Sequence, residues 1–461
     1  MRLAARCLWN ETSQDGVKAV FAGVGKLDIT PQGPVWMDGM LRDHPSVGVR
    51  DRLFGRGLVL QDSDNAGQAF VLVSVDVCGL DAETCRAVRE GAAARTGIPA
   101  SHIIIAATHT HSGPAAVGML TPREDAYVDE LAGKLIGLID AAAHDLRPAA
   151  IGVTVGREET ISHYRRLLAD DGHVVMNWEP YPPERIVGPL GAADPEVGIV
   201  VVAEAGAGQV SAATGRVRAV LLNHAGHPNV LSGDNYLLSA DYPGFATQLL
   251  EEEFGGTALF FNAALGSVDI DGLRDRDAEG LDRAGRALAG AIGQAAAGLS
   301  VDDAPWLRGA SATYALPGRR ITDAEWRWAQ GVLAQTRGQV AALADGVGDD
   351  YKAALYQRMH EAGPCDLAVE QICIALGDSA LLTFPGELYT EIGQAIKARS
   401  PFRRTFIIGL ANGYIGYIPT RQAISEGGYA EETRRVDAAA EQVVVEHSLA
   451  LLRSVYEIGC S

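Results

Sequence analysis

The order of the apolar runs restricts this chain most. Residues 68–80, "QAFVLVSVDVCGL", form an apolar run rich in β-branched valine, as a buried strand does. "DAETCRAVREGAAARTG" (81–97) then predicts a helix that closes at Gly97, and "HIIIAATHTH" (102–111) predicts a second buried strand. In "EDAYVDELAGKLIGLIDAAAHDL" (124–146), Leu131, Leu135, Leu138 and Ile139 recur at helical spacing. Strand, helix, strand, helix in succession predicts a layered α/β domain. Further strands are predicted in "VRAVLLNHAGHP" (217–228), "TALFFNAALGSVDI" (257–270) and "RTFIIGLANGYIGYIPT" (404–420). "LAVEQICIALGDSALLTFPGE" (367–387) reads as two strands joined at Gly377-Asp378, and 437–458 as a closing amphipathic helix. Residues 203–215 read as a surface loop. The polar stretches 155–195 and 340–366 are candidates for loops over a site.

Length and charge narrow the function classes. A chain of 461 residues, 47% of them hydrophobic, can bury a sizeable core. Its net charge of −19 argues against nucleic acid or an anionic membrane as a partner. No apolar run approaches the roughly 20 residues of a membrane span, and no secretory h-region is evident near Met1, so a cytoplasmic location is expected. Six cysteines without a CxxC pair fit reduced, buried thiols rather than a cysteine-based zinc site.

Four strand-to-loop junctions carry unusual polar residues. The first is "AATHTHSGP", with His109 and His111. If the strand runs through them, residues two apart share a face and both imidazoles reach one point. The second is "LLNHAGHPNVL", with His224 and His227. The third is "LLTFPGELYTEIG", with Glu387. The fourth is "GLANGYIGYIPT", with Asn412, Tyr414 and Tyr417. Loops at strand ends build the sites of α/β sheets, and two histidines with a carboxylate form a zinc set that leaves a position for water. Zinc brings the pKa of bound water to about 7 and polarises a substrate oxygen, which is the chemistry of amide or ester hydrolysis. Each element also has an ordinary reading. An HxH pair can be hydrogen-bonded core, Pro-Gly-Glu can be a turn with an acid in a helix's first turn, and tyrosines at a strand end can be packing. Spacing alone does not join the four.

The chain resembles the neutral/alkaline ceramidase family, zinc-dependent amidases that cleave N-acyl sphingoid bases. The resemblance rests on "GVGKLDITP" (23–31), "VRDRLFGRGLVLQD" (49–62), "AATHTHSGP", "NHAGHPNVL" with "SADYPG" (239–244), "FPGE" and "LANGYIGYIPT", in the family's order. It implies layered mixed β-sheets flanked by helices and one Zn²⁺ per chain. It implies His109, His227 and Glu387 as ligands, with Tyr417 as a fourth ligand or close contact. It also implies His111 as acid/base or oxyanion donor, Arg165 (with Arg166 next) as the family's arginine, and Tyr429 as a donor to the oxyanion. His224 falls off the ligand position and is expected in the core or behind a ligand. Asp241 is expected to cap a helix, and Asp76 to support a ligand or lead into a turn.

Two departures bear on substrate. The family's serine position carries Asp269, while Ser267 stands where the family has Asp. An ionised carboxylate cannot donate the hydrogen bond a serine hydroxyl gives, so Asp269 is a candidate for holding an amine or polar group of a different substrate. The family's C-terminal immunoglobulin-like domain has no counterpart, so the expected organisation is an extension (1–20) and a single catalytic domain (21–461). With no basic amphipathic helix for a bilayer, a soluble N-acyl or other linear amide is as expected a substrate as ceramide. An ester or lactone hydrolase, an acyl transferase of a biosynthetic pathway and a non-catalytic ligand-binding relative are the alternatives.

Overall fold

The computed structural model describes residues 6–7, 19–62, 69–210, 216–270, 276–303, 305–343 and 345–458. Most of the extension 1–20 and the end of the loop 203–215 fall outside them. Eight strands form the larger sheet: β1 Val20–Asp28, β2 Phe54–Asp62, β3 Ala69–Val75, β4 Ile103–Ala107, β5 Arg147–Arg157, β6 Glu196–Glu204, β7 Val217–His224 and β8 Thr257–Asn262. They lie in the order β8-β7-β6-β5-β1-β2-β3-β4. The second sheet holds β9 Leu307–Leu316, β10 Leu367–Leu376, β11 Ser379–Thr383 and β12 Arg404–Ile408, with Arg6–Cys7 on the edge beside β9.

The sheets are mixed in a regular way. The pairs β3/β4, β7/β8 and β11/β12 are parallel, and every other neighbour is antiparallel. Each parallel pair is joined by a crossover helix, as its geometry requires. These are α1 Ala82–Thr96, α3 Asp241–Phe254 and α7 Thr390–Arg399. The α1 crossover follows from local sequence: Asp81 accepts from the Thr84 N–H at one end, and Gly97 takes the left-handed conformation (φ 73°) at the other. Gly377 (φ 57°) supplies the two-residue turn between β10 and β11 that the sequence predicted.

The two sheets pack face to face. Leu58, Phe70, Leu72 and Phe261 from one meet Ile372, Leu381 and Phe406 from the other in a single apolar layer. The outer face of the larger sheet is covered by α1 and α2 (Asp125–His144) on one half. On its other half lie α3 and α4 (Ala278–Ala296). A C-terminal helix, Ala440–Ile458, joins α7 over the outer face of the second sheet. The architecture is therefore layered α/β, with mixed sheets flanked by helices.

Neither polar stretch is a plain loop. Residues 163–189 form a small three-stranded sheet and its approaches, and 349–362 form a helix, α6, which pairs with α5 (Asp323–Thr336). Among the described residues, no helix is long and apolar enough to cross a membrane.

Candidate metal centre and its cavity

The three βαβ units deliver their strand ends to one place. His109 follows β4, His227 follows β7, Glu387 follows β11 and Tyr417 follows β12. This is where an open α/β sheet builds its site, outside the carboxyl ends of parallel strands. Three asparagine and backbone ties bring the ends together. Asn412 replaces a missing strand at the edge of β4, accepting from the Ile105 N–H (2.8 Å) and donating to the Ile103 carbonyl (3.2 Å). That docks the loop of Tyr414 and Tyr417 beside the histidines. Asn262, at the end of β8, donates to the carbonyls of Thr108 (3.3 Å) and Gly226 (2.8 Å), one residue before each candidate ligand histidine. The His111 N–H donates to the Pro228 carbonyl at 3.0 Å.

The HxH pair does not work by strand alternation. β4 ends at Ala107, and His109 has φ 74°, in the left-handed region a non-glycine residue rarely enters. A turn, not a pleat, aims both rings at one point, with their Nε2 atoms 3.3 Å apart. Gly39 lies against the His111 ring so closely that a Cβ there would collide with it.

His109, His227 and Glu387 converge with ligand atoms within 4.8 Å of one another, all buried. Glu387 Oε2 is 3.6 Å from His109 Nε2 and 3.4 Å from His227 Nε2. The hydrogen-bond inventory decides what this cluster fits. His109 Nδ1 lies 2.7 Å from the Cys78 carbonyl, so it carries the proton and turns a bare Nε2 inward. Tyr414 donates to Glu387 Oε1 at 2.8 Å, leaving Oε2 with no hydrogen-bond donor. His227 Nε2 has no hydrogen-bond partner either. A carboxylate oxygen and two imidazole nitrogens turned toward one point in a buried pocket suit a cation, and two histidines with a carboxylate suit zinc.

Electrostatics follow the same arrangement. Burial opposes a charge on Glu387, yet His109 and His227 outweigh it and hold the carboxyl well below its usual range. Burial, with His109 and His227 nearby, drives His111 well below the ordinary histidine value, so its ring is neutral at neutral pH. Burial keeps the phenols of Tyr414 and Tyr417 firmly protonated.

Above this cluster opens a cavity of about 440 Å³. Its floor includes His109, His111, Glu387, Tyr414 and Tyr417, and Tyr429 stands on its wall. Arg165 sits behind that wall. Its guanidinium faces the rings of Tyr417 (4.8 Å), Tyr429 (5.5 Å) and Trp178 (5.6 Å) and donates to the Gly266 carbonyl at 2.6 Å. Burial works against its charge, and the carboxylates of Asp269 and Glu387 favour it.

Residues 21–123 match the family model described as neutral/alkaline non-lysosomal ceramidase, N-terminal. The whole fold matches the crystal structure of neutral ceramidase from Pseudomonas aeruginosa with a TM-score of 0.70. At 19% identity, that match covers 95% of this chain and 75% of the other. A ceramidase complexed with C2 matches equally, with a TM-score of 0.70 and 17% identity over 96% of this chain and 76% of the other. The fold is neutral-ceramidase-like.

Within this ceramidase-like frame the sequence-predicted residues fall into two groups. His109, His111, His227, Glu387, Tyr417 and Tyr429 meet at the cluster and its cavity. Asp269 does not line that cavity. It is buried behind it, where its carboxylate accepts from the Ile270 N–H (2.7 Å) and lies 3.7 Å from Arg276, which pairs with Asp345 at 2.6 Å. Ser267 serves α7, accepting from the Thr390 N–H at 2.9 Å. Arg166 turns away to Glu426 (2.9 Å) and Glu431 (3.1 Å). His224 lies 3.3 Å from Ser162 Oγ, and burial pushes its pKa down to about 4. Asp76 pairs with Arg56, and Asp241 opens α3 without capping it, accepting instead from the Leu231 N–H at 3.0 Å. Sequence reasoning missed Cys78, Asn262 and Asp38. Asp38 accepts from the N–H groups of Val117, Gly118 and Met119 (3.0, 3.0 and 2.9 Å) and so fixes one wall of the cavity. A buried acid close to loop residues that are remote in sequence leaves no local signal.

Proposed function

We propose that this chain is a zinc-dependent amidohydrolase that cleaves the amide bond of an N-acyl compound. The observation that carries the reading is the buried convergence of His109, His227 and Glu387, with His109 and Glu387 open to the floor of a cavity. These three residues would hold the ion, with Tyr417 as a fourth ligand or close contact. Bound zinc would activate a water molecule and polarise the acyl carbonyl.

The chain's own groups do the rest. The Cys78 carbonyl fixes the tautomer and orientation of His109, and Tyr414 fixes Glu387. Neutral His111, buried beside the cluster, takes the proton of the attacking water and passes it to the leaving nitrogen. Tyr429 keeps its phenolic proton and offers it to the oxygen on which charge develops. Arg165 acts through Tyr417 and Tyr429, whose rings it faces, and Asp269 helps keep Arg165 charged. Because the site draws on both sheets, residues 21–461 are taken as one catalytic unit.

The test is metal analysis combined with turnover of simple N-acyl amides. The purified protein should contain about one zinc per chain, and His109→Ala should lose both metal and activity. A His109→Ala protein that still hydrolyses amides overturns the reading.

A further inference from the structure

The cavity changes character with depth. Its floor is the buried cluster. Its walls are apolar, with Val117, Met119 and Leu120 on one side and Leu355 and Met359 of α6 on the other. Its solvent side carries two exposed arginines, Arg358 and Arg435. Among the described lining residues the only carboxylate is Glu387, at the floor.

Among the described residues, neither arginine is neutralised by a carboxylate. Lys352, on the same helix as Arg358, is paired with Asp349 (2.8 Å) and Glu432 (2.9 Å). Arg319 pairs with Glu325, and Arg166 with Glu426 and Glu431. Acids are plentiful in a chain with 58 acidic and 39 basic residues. Among the described residues none forms an ion pair with Arg358 or Arg435. Arg358 is also held toward the cavity. Its guanidinium lies 5.9 Å from the ring of Tyr351, whose hydroxyl donates to the Met119 carbonyl at 3.2 Å. Guanidinium forks with no carboxylate against them, at the rim of an apolar-walled site, match an oxyanion such as carboxylate or phosphate.

We propose that the compound hydrolysed here carries an acidic group separated from its amide by an apolar stretch, and that Arg358 and Arg435 bind that group at the cavity mouth. The proposal rests on the amidohydrolase reading and adds to it a substrate class. Depth sets the layout: the amide must reach the buried floor, so the anion stays several atoms away, and the apolar walls cover what lies between.

Three matched substrates test it, identical N-acyl amides whose apolar arm ends in a carboxylate, a phosphate or a neutral carboxamide. The zinc-loaded enzyme should favour at least one anionic substrate over the carboxamide by about fivefold to tenfold in kcat/KM, mostly through KM. The better of the two anions identifies the oxyanion. The preference should shrink as salt is raised. Arg358→Gln/Arg435→Gln should bring the ratio close to one. Equal turnover of all three by the wild type, a preference that ignores salt, or one retained in the double variant overturns the proposal and leaves the hydrolase reading standing. Turnover of none of them, with zinc bound, overturns the hydrolase reading and this proposal with it. The wild-type ratio and its salt dependence need no variant, so the result does not depend on how the substituted protein folds.

Discussion

Asp76 and Glu387 occupy the same kind of place and keep different company. Each follows the carboxyl end of a parallel strand, and each is buried, at 1% and 0% exposure. Asp76 accepts from Arg56 Nη1 and from the Phe54 N–H, both at 2.8 Å. Other buried acids near the site are provided for in similar ways, Asp345 by Arg276 and Glu431 by Arg166. Glu387 has one phenol on one oxygen and two imidazoles facing the other, with no arginine or lysine paired to it among the described residues. A fold that pairs Asp76 with an arginine but faces Glu387 Oε2 only with imidazoles, which can turn a lone pair inward, leaves the second acid able to take a cation from outside.

Exchanging the two charges is the strongest way to break that contrast. Glu387→Gln should lower kcat/KM roughly 1,000-fold or more and take zinc content to background. The metal-free fold should change little in stability, because the imidazoles of His109 and His227, which face the carboxylate, can give up their charge when it goes. Asp76→Asn should do the reverse. It should keep its zinc but lose about 1–3 kcal/mol of stability, because Arg56 is left with only the longer contact to Glu251 (3.8 Å) and the Thr247 hydroxyl. Metal analysis and urea unfolding of both proteins decide the matter. Loss of zinc in both variants, or stability loss in both, would erase the distinction between the two strand ends.

Asp241 shows a third arrangement, a buried acid served only by backbone N–H groups, those of Leu231 (3.0 Å) and Tyr242 (2.7 Å). Burial, aided by nearby Asp51, outweighs these bonds and pushes its pKa from 3.8 up to about 6. The folded state therefore binds the proton more tightly than the unfolded chain. The stability this contributes is fully present below pH ~4 and is lost as pH rises through ~6. The unfolding free energy of wild type minus that of Asp241→Asn should fall by about 2–3 kcal/mol between pH 4 and pH 7. A flat difference would show that backbone donors neutralise a buried acid as fully as an arginine does.

The layered class was legible because it depends on local order: apolar strands alternating with capped helices, a hairpin at Gly377-Asp378, and a closing amphipathic helix. The site residues were legible as motifs, but their convergence was not. It depends on Asn412 completing the edge of β4 across more than 300 residues and on Asn262 tying the backbones before His109 and His227. Neither asparagine looks special in its own neighbourhood. The reading of His109 and His111 as strand residues failed for a related reason. A positive φ at a histidine is imposed by its surroundings, and no glycine marks it. The stretch 340–366 read as a polar loop because α6 buries only Ala353 and Tyr356, too narrow a stripe to show a helical period.

Tyr414 offers the finest test of how Glu387 is held. Its hydroxyl is the only side-chain hydrogen-bond donor to that carboxylate among the described residues, and it engages Oε1 while Oε2 faces the histidines. Removing the hydroxyl leaves the carboxylate in place but free to rotate, and it adds one more unsatisfied acceptor beside the ion. Tyr414→Phe should therefore weaken zinc binding about 10- to 100-fold, the usual cost of losing a group that orients a ligand. Unlike Glu387→Gln, it should still fill with metal and work when zinc is in excess. Competition against a chelator of known affinity measures the shift. An unchanged affinity would mean that the β11–α7 turn alone fixes Glu387, through the Glu387 N–H bond to the Gly416 carbonyl (3.0 Å) and the parallel pairing with Tyr417. The contrast with Asp76 would then lie entirely in the missing arginine.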